Sequence, residues 1–352
     1  MTEATFLLYG ANGYTGELIA REAKKQGLKP ILAGRNRAKV ETLARELGFD
    51  YRVFGLENPG QIVAQLTAVK TVLHCAGPFS ATAAPMMAAC LLAKVNYLDI
   101  TGEISVFEHA QSLNAQAKTA GIVICPGVGF DVVPTDCIAG VLKAALPDAT
   151  HLTLGFDSRS SFSPGTAKTS VEGLSQGGKI RQNGVLKTVP LAYKTRRIDF
   201  GNGEKLAMTI PWGDVATAWY STAIPNIEVY IPASPGLVGK LKRLNWIRPL
   251  LAFRSIQWLM KRQIEKKVRG PSESAREKAQ TYVWGEVRNG RGMVKTARVQ
   301  VPNGYTLTAT AALVFVEHLA NNRGKPGATT PSLLMDAGLV SRLPGASAVQ
   351  IR

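Results

Sequence analysis

"LLYGANGYTG" occupies residues 7–16 of a 352-residue chain, and its glycines Gly10, Gly13 and Gly16 stand three apart between an apolar run and a segment of helical periodicity. Glycine at three fixed points of one tight turn serves backbone that must bend sharply and come close to something else. In a strand–turn–helix unit the first glycine lets the chain turn, the second lets backbone approach a phosphate, and the third lets the helix pack closely. The anion then rests on the helix N-terminus. The familiar dinucleotide pattern is G-x-G-x-x-G, and here its first spacing is one residue longer. The segments that follow decide the reading.

They alternate between strand and helix. "TFLLY" (5–9) precedes "TGELIAREAKKQG" (15–27), "PILAG" (30–34) precedes "RAKVETLARELG" (37–48), and "YRVF" (51–54) precedes "PGQIVAQLTAV" (59–69). The pattern continues with "TVLHCAG" (71–77) and "APMMAACLLAK" (84–94), then "NYLDI" (96–100) and "SVFEHAQSLNAQAKTAG" (105–121), and closes on "IVICPG" (122–127). Six short strands separated by helices call for a parallel sheet with right-handed crossovers. The expected fold class is therefore α/β, with an N-terminal Rossmann-type doubly wound sheet. In that setting the glycine turn is read as a pyrophosphate cradle formed by Gly10, Ala11, Asn12, Gly13, Tyr14, Thr15 and Gly16.

The grammar changes after about residue 130. A helix over 134–146 leads to alternating runs such as 151–157, 205–211 and 226–232, and then to a hairpin over 280–301 whose Asn289-Gly290 is a turn signal. This predicts a second, α+β domain on a mixed sheet. The expected boundaries are 1–130, 131–326, and a C-terminal segment 327–352, whose helix (327–343) packs back on the first domain.

Composition bounds the rest. With 45% hydrophobic and 19% charged residues the chain is globular in character, and its longest apolar stretches, 86–93 and 309–316, fall short of a membrane span. No secretory signal precedes the first strand, so a cytoplasmic location is expected. Cys75, Cys90, Cys125 and Cys137 form no C-x-x-C pair, so neither a metal site nor a disulfide framework is expected. The net charge of +17 attracts phosphates, acidic carrier proteins, anionic lipid or nucleic acid, and charge alone does not choose among them.

The end of the second strand bears on the choice of dinucleotide. NAD-binding domains usually place an acid there for the ribose 2′-hydroxyl, but this chain reads Gly34, Arg35, Asn36, with Arg37 and Lys39 behind. A guanidinium grips a 2′-phosphate through charge-assisted hydrogen bonds, so NADP(H) is expected. The loop after strand four, Cys75, Ala76, Gly77 and Pro78, falls beside the nicotinamide end in this fold. His74 and Cys75 themselves read as packed core residues.

"GANGYTG", "LAGR", "AGPF", "YLDITGE" (97–103), "PGVGFDVVPTD" (126–136) and "PWGDVATAWYSTAIPNIEVY" (211–230) together resemble the saccharopine dehydrogenase-like oxidoreductases, in particular the branch of trans-acting enoyl reductases. The resemblance implies a Rossmann domain, a second α+β domain and NADP(H)-dependent reduction, with substrates ranging from amino-acid imines to polyketide-type acyl chains. Extended short-chain dehydrogenases share the glycine turn but need a Tyr-x-x-x-Lys pair. No tyrosine here has lysine four positions on, and Tyr193 has Arg197.

Hydride transfer needs a proton donor beside the cofactor crevice. The candidates are Asp131, Asp99 and Tyr97, with Glu103 as a further acid at a strand end and Asp136 one helical turn further on, and Asp99 and Asp131 read equally as cap or hinge residues. No Ser/His/Asp or Cys/His constellation is visible. Phe162, Met208, Trp212, Trp219 and Tyr220 are candidates for an apolar substrate pocket or for ordinary core.

The segment 237–270 is amphipathic, broken near Pro249, and basic, with Lys240, Lys242, Arg243, Lys261, Arg262, Lys266 and Lys267 against a single acid, Glu265. It reads as a solvated face, an interfacial element peripheral to an anionic membrane, or a dock for an acidic acyl carrier. No nucleic-acid motif accompanies the charge. A homodimer is left open. The expected function is an NADPH-dependent reductase of an enoyl or related double bond in a lipid- or polyketide-like substrate. The alternatives are a saccharopine-type imine reductase and a non-catalytic, membrane-associated NADP-binding scaffold.

Overall fold

The six apolar runs become parallel strands. The computed structural model describes residues 6–158, 171, 173–267, 272, 274, 276 and 279–352. Along the chain come β1 (Phe6–Tyr9), α1 (Tyr14–Lys25), β2 (Ile31–Gly34), α2 (Arg37–Leu47), β3 (Tyr51–Val53), α3 (Pro59–Gln65), β4 (Thr71–His74), α4 (Phe79–Ala93), β5 (Asn96–Asp99), α5 (Ile104–Ser112), α6 (Asn114–Ala120) and β6 (Val123–Cys125). Then follow α7 (Val133–Ala145), β7 (Ala149–Ser158), β8 (Gly178–Gln182), β9 (Val185–Val189), β10 (Thr195–Asp199), β11 (Glu204–Thr209), α8 (Asp214–Thr222), β12 (Asn226–Pro232), α9 (Pro235–Leu244), a 3-10 turn (Arg248–Ala252) and α10 (Arg254–Lys267). The chain ends with β13 (Gln280–Asn289), β14 (Val294–Pro302), α11 (Gly304–Ala320), β15 (Gly327–Ala328), α12 (Pro331–Leu334), α13 (Leu339–Arg342) and β16 (Gln350–Ile351).

Two compact units divide the chain. The first runs up to Val133 and returns at Tyr305–Asp336, and the second is Pro134–Gly304 with Ala337–Arg352. Both are discontinuous, a division that continuous boundaries near 130 and 326 do not describe. The tail splits between the units at Asp336.

The first unit carries a seven-stranded sheet in the order β15-β6-β5-β4-β1-β2-β3, with every pairing parallel. Every residue of β1 is buried, as a central parallel strand covered on both faces requires. Its core joins Leu7, Tyr9, Val72, Met86, Cys90, Tyr97 and Ile124. Strand order reverses between β1 and β4, which leaves a crevice beyond their carboxyl ends.

Three helices differ from the periodicity in ways that have local causes. The helix expected over 84–94 begins at Phe79, because the Glu103 carboxylate accepts the backbone N–H of Phe79 at 2.9 Å and of Ser80 at 2.7 Å. The helix expected over 105–121 breaks at Leu113 into α5 and α6, and the freed Asn114 side chain accepts the N–H of Ala328, anchoring the edge strand β15. The single helix expected over 327–343 is instead β15 followed by two one-turn helices, interrupted where Asp336 takes a φ of +144°.

The second unit carries the mixed sheet, β10-β11-β12-β7-β13-β14-β16, with the β8–β9 hairpin attached to β12. Only β12 and β7 pair in parallel on this path. The β8–β9 hairpin turns on Asn183 and Gly184, both left-handed with φ of +51° and +77°, the two-residue turn that matches strand twist. The hairpin marked by Asn289-Gly290 forms over β13 and β14. Its turn is held by the Asn289 carbonyl side chain, which accepts the N–H groups of Arg291 and Met293. The basic segment is broken as expected, with Pro249 opening the 3-10 turn between α9 and α10. Among the described residues, no helix is long and apolar enough to cross a membrane, and no group of His, Cys, Asp or Glu is arranged to hold a metal ion. All four cysteines are free.

Candidate functional site

The crevice beyond β1 and β4 is shaped by absent side chains. Gly10 leaves β1 with a φ of +84°, and a Cβ there would lie 2.7 Å from the Ala76 nitrogen and 2.8 Å from the Cys75 carbonyl carbon. A Cβ on Gly16 would collide with the Gly10 carbonyl oxygen, so α1 starts against the strand end only because that position is bare. Gly13 is the N-cap of α1, exposed, and offers no side chain to its first turn. Backbone N–H groups at a helix start, with no side chain over them, form a cradle for an anion.

At the end of β2, Gly34 is bare where the Asn12 amide oxygen sits, 2.7 Å from where a Cβ would be. Arg35, Asn36, Arg37 and Lys39 are all exposed beyond it, and Asn36 caps α2 by accepting the Lys39 N–H at 3.1 Å. The sequence from Gly34 to Lys39 holds no acid. These residues fit a dinucleotide carrying a 2′-phosphate.

The loop after β4 is rigidly held. Cys75 donates its N–H to the Tyr9 carbonyl at 2.7 Å, and the Gly77-Pro78 bond is cis. Thr82 donates its hydroxyl to the Ala76 carbonyl at 2.7 Å and lies 3.0 Å from His74 Nε2, which makes that nitrogen the donor and Nδ1 the bare one. His74 is fully buried between the Tyr9 and Phe79 rings, and burial pushes its pKa down to about 3, so it stays neutral. Burial also drives the Cys75 thiol up, the opposite of what a nucleophile needs.

The acids separate into distinct roles. Asp99 is fully buried and accepts the Tyr97 hydroxyl at 2.7 Å and the N–H groups of Thr101 at 2.9 Å and Gly127 at 2.8 Å; burial pushes its pKa up to about 6. It stitches the end of β5 to the loop after β6. Tyr97 is equally buried, with its own pKa pushed up by burial and by Asp99. Glu103 is the cap of α4. Its replacement by Ala should cost about 1–3 kcal/mol of stability through two lost charge-assisted bonds at a helix start, read as a lowered urea midpoint.

Asp131 differs. The residue keeps some exposed surface while its carboxyl packs over Gly102, where a Cβ would lie 2.9 Å from Oδ2, and burial pushes the pKa up to about 7. The loop that carries it is fixed from α11: the Phe130 N–H donates to the Thr308 hydroxyl at 3.0 Å. At the same helix start Tyr305 meets Tyr14 edge-on, with centroids 5.1 Å apart. Tyr305 and Thr308 thus border the glycine turn and the Asp131 loop, though no local pattern marks them. Asp136 belongs to the second unit, where it is buried and accepts the Ser221 hydroxyl.

Among the described residues the apolar pocket candidates have separate partners. Met208 is core with Ala192 and Val238, Trp212 packs on Phe156 at 4.9 Å, and Trp219 lies under the Arg181 guanidinium at 5.4 Å. Tyr220 is half-buried, and Phe162 lies outside the described residues. A pocket of about 290 Å³ in the second unit is lined instead by polar and charged side chains, among them His151, Lys194, Arg196, Glu228, Glu286 and Arg288.

Residues 6–125 match the family model of the saccharopine dehydrogenase NADP binding domain. That stretch, the first unit's strands β1 to β6, is similar to this domain. Among the chain's relatives is the saccharopine dehydrogenase-like oxidoreductase of Homo sapiens, 26% identical over 219 residues, covering 53% of this chain and 50% of that one. A trans-acting enoyl reductase of Mycobacterium bovis is 30% identical over 142 residues, covering 38% of this chain and 34% of that one. The chain spans half or less of the length of the curated relatives it matches. In fold it is similar to saccharopine dehydrogenase (L-Glu forming) from Saccharomyces cerevisiae, with a TM-score of 0.70, 9% identity and 99% of both chains covered. The α/β architecture, a parallel sheet with a mixed-sheet unit, is the fold of that solved enzyme, and the match over residues 6–125 is to a domain that binds NADP(H).

Proposed function

We propose that this protein is an NADPH-dependent reductase that saturates an enoyl or closely related double bond of a lipid- or polyketide-like acyl substrate. The observation that carries the reading is the side-chain-free cradle at Gly10–Gly16 joined to a basic, acid-free end of β2. The enoyl preference draws on relatives that bear the name trans-acting enoyl reductase. In this reading the first turn of α1 holds the pyrophosphate, Arg35 and the Asn36 amide group hold the 2′-phosphate, and the Cys75–Pro78 loop bounds the nicotinamide end. NADPH, when bound, supplies the hydride. Asp131 holds the proton that the second carbon of the double bond must receive, and its pKa near 7 suits that task. Asp99 and Tyr97 act through position, keeping Thr101 and Gly127 in place on either side of the Asp131 loop.

The test is NADPH oxidation, followed by absorbance, against enoyl thioesters and against keto-acid plus amine pairs. Oxidation by enoyl thioesters supports the proposal. Oxidation only by keto-acid and amine pairs replaces it with imine reduction, and tight NADPH binding with no turnover replaces it with a scaffold.

Cofactor choice has its own check. A charge-assisted contact contributes about 1.5–3 kcal/mol, so Arg35→Ala should weaken NADPH by roughly 10- to 150-fold and leave NADH nearly unchanged. Fluorescence titration of both cofactors reads this. Equal losses would remove Arg35 from the phosphate site.

A further inference from the structure

We infer that the segment from α9 through α10 is a docking surface for an anionic lipid bilayer, an inference that stands apart from the cofactor and the reaction. Between residues 235 and 264 the sequence holds seven Lys and Arg and no Asp or Glu. The structure adds what the sequence leaves open, namely which apolar residues are covered. One side of α9 is fastened to the second unit: Val238 packs with Ala192 and Met208, and Asn245 exchanges hydrogen bonds with the backbone of Leu191 at 2.8 and 3.1 Å. Beyond α9 the large apolar side chains lie open to solvent. Trp246 is 89% exposed, Phe253 and Trp258 are each 59% exposed, and Ile247, Leu250 and Leu259 are half exposed or more. Lys240, Lys242, Arg243 and Arg262 stand exposed among them, with the Arg262 guanidinium 5.2 Å from the Trp258 ring.

Large aromatics left in water beside a run of cations cost free energy that a partner must offset. A second copy of this chain fits poorly, because a two-fold contact through this segment sets like charge against like charge. An interfacial membrane element has this composition: Trp, Phe and Leu enter the headgroup boundary, and Lys and Arg meet anionic lipid. The break at Pro249 places the 3-10 turn, with Trp246 before it and Phe253 after it, as the inserting tip.

Sedimentation with phosphatidylcholine vesicles, with and without a fraction of phosphatidylglycerol, tests this on the full chain. Binding is expected on the anionic vesicles at low salt and should fade as salt rises past the point where the Debye length is about 8–10 Å. Replacing Lys240, Lys242 and Arg243 by Gln should lower partitioning by roughly 100-fold, at about fivefold per cation. The Trp246→Ser, Phe253→Ser variant should lose binding at every salt concentration, and NADPH affinity, the control for folding, should not move in either variant. Absence of binding to anionic vesicles at low salt overturns the inference, as does binding that the Trp246→Ser, Phe253→Ser variant retains. Capture of acidic acyl carrier protein by a chain that ignores vesicles also overturns it, in favour of a carrier dock.

Discussion

Asp131→Asn is expected to lower turnover by about 100- to 10,000-fold while NADPH affinity stays within about twofold, because it removes a proton donor and leaves the adenosine grip intact. The pH dependence sharpens the expectation. Burial moves the Asp131 carboxyl from 3.8 to about 7, so the folded protein keeps a proton that the unfolded chain has already released between those values. At this group the unfolded state binds fewer protons over that window, so the stability contributed by Asp131 falls as pH rises and is gone above about 7, in the same sense as that of Asp99 and against that of His74. Catalysis needs the protonated form, so activity of the unmodified protein should drop about tenfold per pH unit above that point. Asn cannot titrate, so the difference in stability between the unmodified protein and the variant should shrink from pH 4 to pH 7 by the share Asp131 contributes, and the variant should lose the alkaline limb of activity. Thermal melts from pH 4 to pH 8 and a pH–rate profile read the two separately. A limb that persists in the variant assigns the proton to another group, and Asp131 then serves only to hold the loop over Gly102.

The parallel sheet was legible because its strands are buried on both faces and short, so that apolar runs such as Phe6–Tyr9 stand out between glycine turns and amphipathic helices. Boundaries failed where a distant residue decides them. Glu103 starts α4 from 24 positions away along the chain, and nothing within 79–84 announces it. Asn114 anchors β15 across more than two hundred residues, an edge strand of two residues with no periodicity to read. The β8–β9 hairpin carried an Asn-Gly turn as explicit as the one at 289–290, but its short, largely exposed second strand, VLKTV, lacks the alternation that draws attention.

The candidate site divides along the same line. Residues that act through backbone geometry, Gly10, Gly16, Gly34 and the Gly77-Pro78 pair, are visible in sequence because few side chains satisfy those constraints. Residues that act through a side chain are not. Asp99 and Asp131 both follow strand ends in the sequence, yet Asp99 binds Tyr97, Thr101 and Gly127 inside the sheet's end, whereas Asp131 lies over Gly102 and keeps some exposed surface. Only the fold separates them. Tyr305 and Thr308 come from a helix on the far side of the second unit's sequence, which no local motif connects to the glycine turn.

Gly10→Ala should abolish measurable NADPH binding and destabilise the protein more than any other alanine substitution of a left-handed glycine in the first unit. Two penalties act at once. A φ of +84° costs an L-residue about 1–2 kcal/mol. The new methyl group also meets the Ala76 nitrogen at 2.7 Å and the Cys75 carbonyl carbon at 2.8 Å, and crowding of this kind costs about 1–3 kcal/mol more. Neither atom can yield cheaply, since Cys75 is bonded to Tyr9 and the β1–β4 ladder runs into it. The strain must be relieved by moving the turn or the Ala76–Pro78 loop, and both border the cradle. Gly48→Ala is the control, for it has a φ of +73° and nothing within 4 Å of the new carbon, so it carries the first penalty without the second. Urea midpoints should therefore fall modestly for Gly48→Ala and steeply for Gly10→Ala, with NADPH fluorescence titration unchanged for the former and flat for the latter. Equal midpoints in the two variants, with NADPH still bound by Gly10→Ala, would mean that the loop after β4 moves freely and that close approach is not what this glycine provides.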